Sequence, residues 1–306
     1  MKILITGSSG MVGSNLSEVL SDEHQLIKND RQMLNLENYQ NILDFFNKNQ
    51  PELVIHCAGY VGGILSNSLE NSKYLALNST LGLNVVRACN EVGVPKLINL
   101  SSSCMYPNNL VKPILEEDFS INNIEKTNEG YALAKIIVTK YCQYVNIESN
   151  KIKYKTLIPC NLYGPGDKYS LNKAHLIPSI IVKTLNAIQT NQNNIEIWGD
   201  GASKREFMYV VDFAETVKNL IRNFEQIPEL LNVGVGYDHT VNEFYHEVAR
   251  VLKYSGQFSH DLSKPSGAKR KLLNIHKISS MGCLVDRGLE HGIINTILSY
   301  QKNLTN

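Results

Sequence analysis

An apolar strand that runs directly into three spaced glycines constrains the fold of this chain more than any other feature. The segment KILIT, residues 2–6, is typical of a buried strand, and GSSGMVG follows it with Gly7, Gly10 and Gly13. Glycines at this spacing allow a tight turn, a close approach of backbone to phosphate, and close packing of the next helix. Because a helical pattern follows, we predict a dinucleotide-binding turn rather than an ordinary connection between strand and helix.

The same alternation of strand and helix continues along the N-terminal half. Further runs typical of buried strands lie at 25–28, 53–57, 96–101 and 154–159. Apolar residues at helical spacing occupy 11–20, 39–49, 68–92 and 129–147. This order predicts an α/β fold with a Rossmann-type, doubly wound parallel sheet.

After residue 161 the alternation breaks, which indicates a smaller α/β C-terminal substrate domain. We assign residues 1–161 to the nucleotide-binding domain. A strand and helix in REFMYVVDFAETVKNLI bring the chain back to that domain over about 207–236. The substrate domain then comprises about 162–206 and 237–306.

Composition excludes several classes of protein. The chain has 306 residues, 43% of them hydrophobic, enough for a sizeable core. Its formal charge of +1 favours neither nucleic acid nor an anionic membrane as a partner. With only a five-residue apolar run at the N-terminus and none approaching ~18 residues elsewhere, we expect a cytoplasmic protein. Six scattered cysteines without a CxxC pair predict neither disulfides nor a metal site.

The end of the second strand bears on the choice of cofactor. In IKNDRQ, Asp30 could bind ribose hydroxyls, whereas Lys28 and Arg31 could hold a 2′-phosphate. Two cations favour NADP(H), with NAD or a merely solvated turn as alternatives.

The segment YALAK places Tyr131 and Lys135 four residues apart, on one face of a helix. We expect the ammonium to stabilise the phenolate, so that a tyrosine with an ordinary pKa near ~10 can exchange a proton at physiological pH. A helix face with a solvated lysine is the alternative. Ser102, in SSSCMYP after the fourth strand, would bind the carbonyl oxygen that Tyr131 protonates while a nicotinamide delivers hydride to carbon.

These segments together resemble the extended short-chain dehydrogenases/reductases, and within them the GDP-L-fucose synthase family and the related GDP-heptose 4-reductases. The motifs that carry the resemblance are GSSGMVG, CAGYVGGI, SSSCMYP, TNEGYALAK, NLYGPGD, HLIPSII, WGDGASKREFMYVVD and KPSGAKRKLLN. The resemblance implies a reduction triad of Ser102, Tyr131 and Lys135, with Cys104 and His175 as the base and acid of epimerisation. It also implies a homodimer formed through the two long helices.

Epimerisation has a chemical logic, because a ketone at C4 acidifies the hydrogens on C3 and C5. A thiolate can remove one of them and an imidazole can return a proton to the opposite face. The alternatives are that Cys104 is a small buried hydrophobic residue and that His175 merely begins a helix. A 4,6-dehydratase is excluded because Ser103 and Cys104 stand where that relative carries an acidic pair.

The resemblance also implies binding residues. Those expected at the cofactor are Gly7, Gly10, Met11, Val12, Gly13, Arg31, Ala58, Lys135 and His175. Those expected at the substrate are Ser103, Asn161, Lys183, Trp198, Arg205 and Arg270. The guanidinium groups suit a diphosphate; Asn161 could instead be a turn residue, and Trp198 could belong to the core.

The predicted function is NADPH-dependent reduction of the C4 ketone of a GDP-4-keto-6-deoxy sugar, with or without C3/C5 epimerisation. The alternatives are an NAD-dependent nucleotide-sugar 4-epimerase and a catalytically silent NADP(H)-binding interaction protein. Two departures from the family concern binding. Ser8 and Ser9 stand where a basic residue is frequent, and Gly166 where a bulkier residue is usual. The sugar is therefore left open between a hexose and a heptose.

Overall fold

The computed structural model describes residues 1–110, 112–149, 151–170, 174–264 and 269–305, so residues 265–268 of KPSGAKRKLLN lie outside the described residues. The strands are β1 (Lys2–Thr6), β2 (Gln25–Ile27), β3 (Leu53–His56), β4 (Lys96–Leu100), β5 (Lys153–Pro159), β6 (Asn161–Tyr163), β7 (Asn194–Trp198), β8 (Lys204–Arg205), β9 (Phe207–Tyr209), β10 (Leu230–Val233), β11 (His239–Thr240), β12 (Gln257–Asp261) and β13 (Arg270–Lys271). The helices are α1 (Met11–Leu20), α2 (Tyr39–Asn49), α3 (Ile64–Leu69), α4 (Asn71–Val92), α5 (Glu129–Glu148), α6 (Leu176–Gln189), α7 (Val210–Arg222), α8 (Val241–Leu252), α9 (His276–Ser280) and α10 (Leu289–Thr305).

Six parallel strands form the central sheet in the order β2, β1, β3, β4, β5, β10. Helices cover both faces, and successive residues of β1 alternate between them. Ile3 and Ile5 pack in one core cluster with α1 and α7, while Leu4 packs in another with α2 and α4. This confirms the predicted Rossmann-type α/β fold. The strand order reverses between β1 and β3, and in such sheets a cleft opens at that point.

A third core cluster lies outside the main sheet. It contains apolar side chains of α6, β7, α8 and α10, among them Ile177, Ile197, Phe244 and Ile293. By contrast, α7 and β10 pack with the sheet, as expected for the returning segment. Ile278 of α9 also packs with the sheet cluster, so packing crosses the predicted boundary at 237. The division into two domains remains a prediction.

The two long helices α4 and α5 pack closely at glycines. A Cβ on Gly130 would lie 2.1 Å from the carbonyl oxygen of Asn71, and one on Gly82 would lie 2.4 Å from a methyl of Val138. The Asn71 side chain also accepts the Gly130 N–H at 2.9 Å. The predicted helix 68–92 is interrupted at Glu70, whose backbone leaves the helical region between α3 and α4. None of the helices in the described ranges has the length and apolar character needed to cross a membrane.

Candidate active site

The glycine turn after β1 leaves no room for side chains at two positions. Gly7 has φ +70°, and a Cβ there would lie 2.8 Å from the Ala58 backbone. A Cβ on Gly13 would lie 2.2 Å from the Gly7 carbonyl oxygen. Gly10 precedes α1 and makes no side-chain cap, so the first-turn N–H groups at Met11 and Val12 are available to an anion. This turn fits a dinucleotide pyrophosphate.

A cavity of about 320 Å³ opens beside this turn at the carboxyl ends of β1, β2 and β3. Its walls include the predicted cofactor residues Gly7, Gly10, Arg31 and Ala58. Apolar side chains complete it, namely Leu34, Leu36, Leu77 and Leu81. A recess of mixed polarity at the reversal of strand order fits the adenosine half of a dinucleotide.

Asp30 and Arg31, the acidic and basic residues after β2 that could bind the cofactor, have different partners in the structure. Asp30 Oδ1 accepts the backbone N–H groups of Gln32 and Met33, both at 2.8 Å, so this carboxylate stabilises its own turn. Arg31 lies over the cavity with 88% of its side chain exposed, and its Nη2 is 3.0 Å from Glu37 Oε1. A ribose would compete with backbone donors for Asp30, whereas a 2′-phosphate could replace Glu37 as the partner of Arg31.

Ser102, Tyr131 and Lys135 lie together at the end of β4. Ser102 and Tyr131 are joined by a hydrogen bond. Lys135 Nζ lies 5.6 Å from the centre of the Tyr131 ring and donates to the Leu100 carbonyl oxygen at 2.8 Å. That bond fixes the ammonium between α5 and β4. The predicted triad residues are therefore neighbours.

Burial controls the electrostatics of this cluster. Burial raises the pKa of Tyr131, and the hydrogen bond from Ser102 opposes the rise. Burial also lowers the pKa of Lys135 to about 8. The structure thus shows no lowering of the Tyr131 pKa by Lys135, and burial, which disfavours the phenolate, is the largest influence on that pKa. A phenol that keeps its proton at neutral pH is the form that can donate to a ketone oxygen.

Cys104 lies in a short 3₁₀ turn, residues 103–105, which follows β4 and packs against the Tyr131 helix. The turn begins at Ser102, whose Oγ accepts the Cys104 N–H at 3.2 Å. Asn128 Nδ2 donates to Cys104 Sγ at 3.2 Å. The thiol is half-buried with a polar partner, which differs from a fully buried hydrophobic cysteine. Ser103, predicted to contact substrate, is buried within the turn.

His175 occupies the position that begins α6, so the predicted helix start is confirmed. The imidazole is half-buried, and burial lowers its pKa, with a further contribution from the Lys168 ammonium. Lys168 Nζ in turn donates to the Val61 carbonyl oxygen at 2.9 Å. A neutral imidazole at pH 7 must first take up a proton before it can act as an acid.

The predicted substrate residues lie in the part of the fold that includes β6 to β8 and β13. Arg205 donates to the Lys204 carbonyl oxygen at 2.8 Å, and burial lowers its pKa. Arg270 forms a forked ion pair with Asp238, with atoms 2.5 and 3.4 Å apart. Asn161 Nδ2 donates to the carbonyl oxygen of Glu206, the residue before β9, at 2.8 Å.

Trp198, at the end of β7, is 42% exposed and is therefore not a core residue. The ammonium groups of Lys183 and Lys264 lie 5.7 and 5.8 Å from the centre of its ring. Lys183 also donates to the Glu196 carbonyl oxygen at 3.1 Å. An exposed indole flanked by cations could stack on a planar, anionic ligand.

Sequence analysis missed Glu206 and Asn128. The Glu206 carboxylate is buried and accepts backbone N–H groups from Val235, Gly236 and Leu273 at 2.8 to 2.9 Å. It thus connects three segments around Arg205; burial raises its pKa to about 7. An acidic residue inside the apolar run REFMYVV was the available signal. For Asn128 the signal was its place beside Glu129 at the start of the YALAK helix.

Comparison with known proteins gives the class to which this fold and site belong. Residues 3–234 match the NAD dependent epimerase/dehydratase family, and the chain belongs to that family. The chain is 42% identical over 297 residues to the GDP-L-colitose synthase of Yersinia pseudotuberculosis, covering 97% of this chain and 96% of that protein. It is also 42% identical over 300 residues to the GDP-L-fucose synthase of Azorhizobium caulinodans, covering 98% and 96%.

A solved structure shows the same likeness in three dimensions. The GDP-mannoheptose C4 reductase from Campylobacter jejuni, with NADP bound, matches with a TM-score of 0.85 and 27% identity, covering 98% of each chain. The resemblance inferred from the motifs is therefore confirmed along almost the whole length of the chain.

Proposed function

We propose that this protein is an NADPH-dependent reductase that converts the C4 ketone of a GDP-4-keto-6-deoxy sugar to an alcohol, coupled to epimerisation at the neighbouring carbons. The relatives named as GDP-L-fucose and GDP-L-colitose synthases and the NADP-bound GDP-heptose reductase support this activity. The observation that carries it is the meeting of Ser102, Tyr131 and Lys135 beside a dinucleotide turn.

The reduction assigns one task to each residue of this cluster. Ser102 donates a hydrogen bond to the ketone oxygen, and Tyr131 transfers its phenol proton to that oxygen as the alcohol forms. When bound, the reduced nicotinamide supplies the hydride for C4. Lys135 then lies beside the new phenolate and stabilises it, which matters more in a buried site than in water.

Epimerisation uses Cys104 and His175. The Cys104 thiolate removes a proton from a carbon beside the ketone, and protonated His175 returns one to the opposite face. The guanidinium groups of Arg205 and Arg270 suit a diphosphate, which for Arg270 would displace its Asp238 partner, and Trp198 suits the guanine. Sequence identity is equal for the fucose and colitose synthases, so it supports a hexose without selecting one.

Loss of NADPH absorbance on addition of a GDP-4-keto-6-deoxy sugar tests the reductase. We expect Tyr131→Phe to fold normally and to lose at least about 10²-fold in kcat, because only the transferable proton is removed. Parental turnover by this variant would exclude the assigned triad. Saturable NADPH binding with no oxidation by any ketosugar would favour the silent interaction protein, and turnover with no net NADPH oxidation would favour a 4-epimerase.

Product formed in deuterated water tests the epimerisation separately. Each carbon that loses a proton gains a deuteron, so NMR counts the positions involved. GDP-4-keto-6-deoxymannose, its 3-deoxy analogue and a 6-deoxy-heptose equivalent form the substrate panel. Cys104→Ser should retain reduction of an already epimerised ketone and lose deuterium incorporation; complete loss of reduction would assign the thiol a different role.

We further propose a cytoplasmic homodimer. The predicted dimer helices α4 and α5 pack against each other. On α5, Ile137 and Tyr144, two turns apart on one face, are 41% and 57% exposed. An apolar face of this kind on a long helix pair suits packing against a second copy. The proposal of a cytoplasmic location rests on the nucleotide-sugar substrate.

A further inference from the structure

The helix that carries Tyr131 and Lys135 begins at Asn128, a residue type that usually caps a helix with its own side chain. Here the side chain makes no cap hydrogen bond to the first turn of α5. Its Nδ2 instead donates to Cys104 Sγ at 3.2 Å. Its Oδ1 is buried and has no hydrogen-bond partner among the described residues. The amide therefore does not cap α5 and instead faces the thiol.

A donor directed at sulfur distinguishes between the two protonation states of cysteine. A thiol sulfur accepts hydrogen bonds weakly, whereas a thiolate accepts them strongly, so an amide N–H stabilises the anion. We propose that Asn128 is the positioning residue for Cys104: it fixes the direction of Sγ and stabilises the thiolate that acts as base. This role rests on the proposed epimerisation, but the underlying stabilisation of the thiolate can be measured without substrate.

The charged groups around the thiol do not replace this amide. Tyr131 and Lys135, both on α5, are titratable neighbours that interact electrostatically with Cys104. Lys135 is held by the Leu100 carbonyl oxygen. Glu125, which precedes the turn leading into α5, is hydrogen bonded to Asn108 and Thr127. Asn128 is thus the side chain that donates a hydrogen bond to the sulfur in the described part of the chain.

The orientation of the amide predicts the direction of the effect. With Nδ2 towards sulfur, removal of the amide makes the thiolate harder to form. An amide turned the other way would present Oδ1 to the thiol proton and favour the neutral thiol, and its removal would have the opposite effect. Serine provides a matched substitution, because it caps a helix start as well as asparagine does but is too short to keep the same donor on sulfur.

The test is the pH dependence of iodoacetamide alkylation at Cys104, followed by peptide mass spectrometry between pH 6 and pH 10. We expect the midpoint for Asn128→Ser to move upward by about one pH unit, and that for Asn128→Asp to move further because a carboxylate repels the thiolate. Cys104→Ser provides the background. An unchanged profile in Asn128→Ser, a shift to lower pH, or no pH-dependent alkylation of Cys104 in the parent would overturn the proposal.

Catalysis supplies a second readout. In deuterated water the ratio of deuterium incorporation to ketone reduction should fall about three- to tenfold at pH 7 in Asn128→Ser and recover as the pH rises. A merely structural loss would lower both processes together at every pH. If alkylation shifts as expected but the parent incorporates no deuterium, the thiolate stabilisation stands and the proposed epimerisation fails.

Discussion

Lys135 places a cation where a phenolate can form. Burial of this ammonium group destabilises the folded state. Burial lowers the pKa of Lys135 to about 8 from an unfolded value of 10.5, so the charged amine is destabilising in the folded chain. Below pH 8 both states carry the proton and the penalty is complete. Between about pH 8 and pH 10.5 the unfolded chain binds more protons, and stability therefore rises with pH.

The rise of folding stability with pH gives a prediction for Lys135→Met, which lacks the titrating amine. Relative to this variant, the parent should gain about 1–3 kcal/mol of unfolding free energy between pH 7.5 and pH 10. The variant should also lose about 10²-fold or more in reduction, since the phenolate has no neighbouring cation. Urea denaturation at a series of pH values measures the first effect. A difference in stability that does not change with pH would contradict it.

Glu37 is a second residue for which we make a prediction, because its substitution should change cofactor binding without affecting folding. It holds Arg31 at 3.0 Å in an exposed ion pair at the edge of the adenosine cavity. If a 2′-phosphate must displace this carboxylate, Glu37→Gln should lower the KM for NADPH about two- to fivefold and leave the KM for NADH nearly unchanged. Arg31→Ala should raise the KM for NADPH alone. Equal changes with both cofactors in either variant would contradict this role.

Residue spacing in the sequence predicted some of these side-chain contacts and not others. Tyr131 and Lys135 are four residues apart in one helix, so their proximity follows from helix geometry alone. The partners of Asp30 and Arg31 depend on how a turn closes, and the raised pKa of Tyr131 depends on burial by distant segments. Sequence periodicity contains neither kind of information.

At the scale of elements, the contact between α4 and α5 positions Tyr131. Gly130 precedes Tyr131, and a Cβ there would lie 2.1 Å from the Asn71 carbonyl oxygen, which is backbone and has little freedom to move. Tight packing at this point keeps the first turn of α5 against the start of α4.

We therefore expect Gly130→Ala to destabilise the protein by about 1–3 kcal/mol and to lower kcat by at least about tenfold, because the first turn of α5 must shift. Gly93→Ala is the control. Gly93 has φ +77° with no atom within 4 Å of the added Cβ, so it should lose stability without a comparable loss of kcat. Chemical denaturation and NADPH oxidation measure the two effects. Parental kcat in Gly130→Ala would contradict the positioning role.

Long periodic elements were the most predictable. The bounds of α1, α2 and β1 agree with the sequence prediction, because amphipathic spacing and glycine punctuation mark them. The break at Glu70 was missed because the apolar spacing continues across it. The two-residue strands β8, β11 and β13 were missed as well; they pair only with one another, and such short segments have no periodicity of their own.

At the scale of the whole molecule, the proposed homodimer makes a prediction about α5. Tyr144→Glu should convert the dimer to monomer, because it places a charge at the centre of an apolar contact. Leu262→Glu, at a position 74% exposed on the loop after β12, is the matched control and should leave the mass unchanged. Light scattering after size exclusion measures the mass. A monomeric parent, or a dimeric Tyr144→Glu variant, would contradict the arrangement.

Strand β10, at the edge of the central sheet, limits how the chain can be divided into fragments that fold. The chain leaves the sheet after β5, builds β6, α6 and β7, and only then supplies α7 and β10. A fragment cut anywhere before residue 207 would leave β5 with an open, apolar edge prone to aggregation. Residues 162–206 of the proposed substrate domain are thus an insertion between β5 and α7, and residues 237–306 follow β10. Exchange of the proposed substrate domain between relatives would need three junctions, near residues 162, 207 and 237, so new sugar preferences are more accessible through point changes.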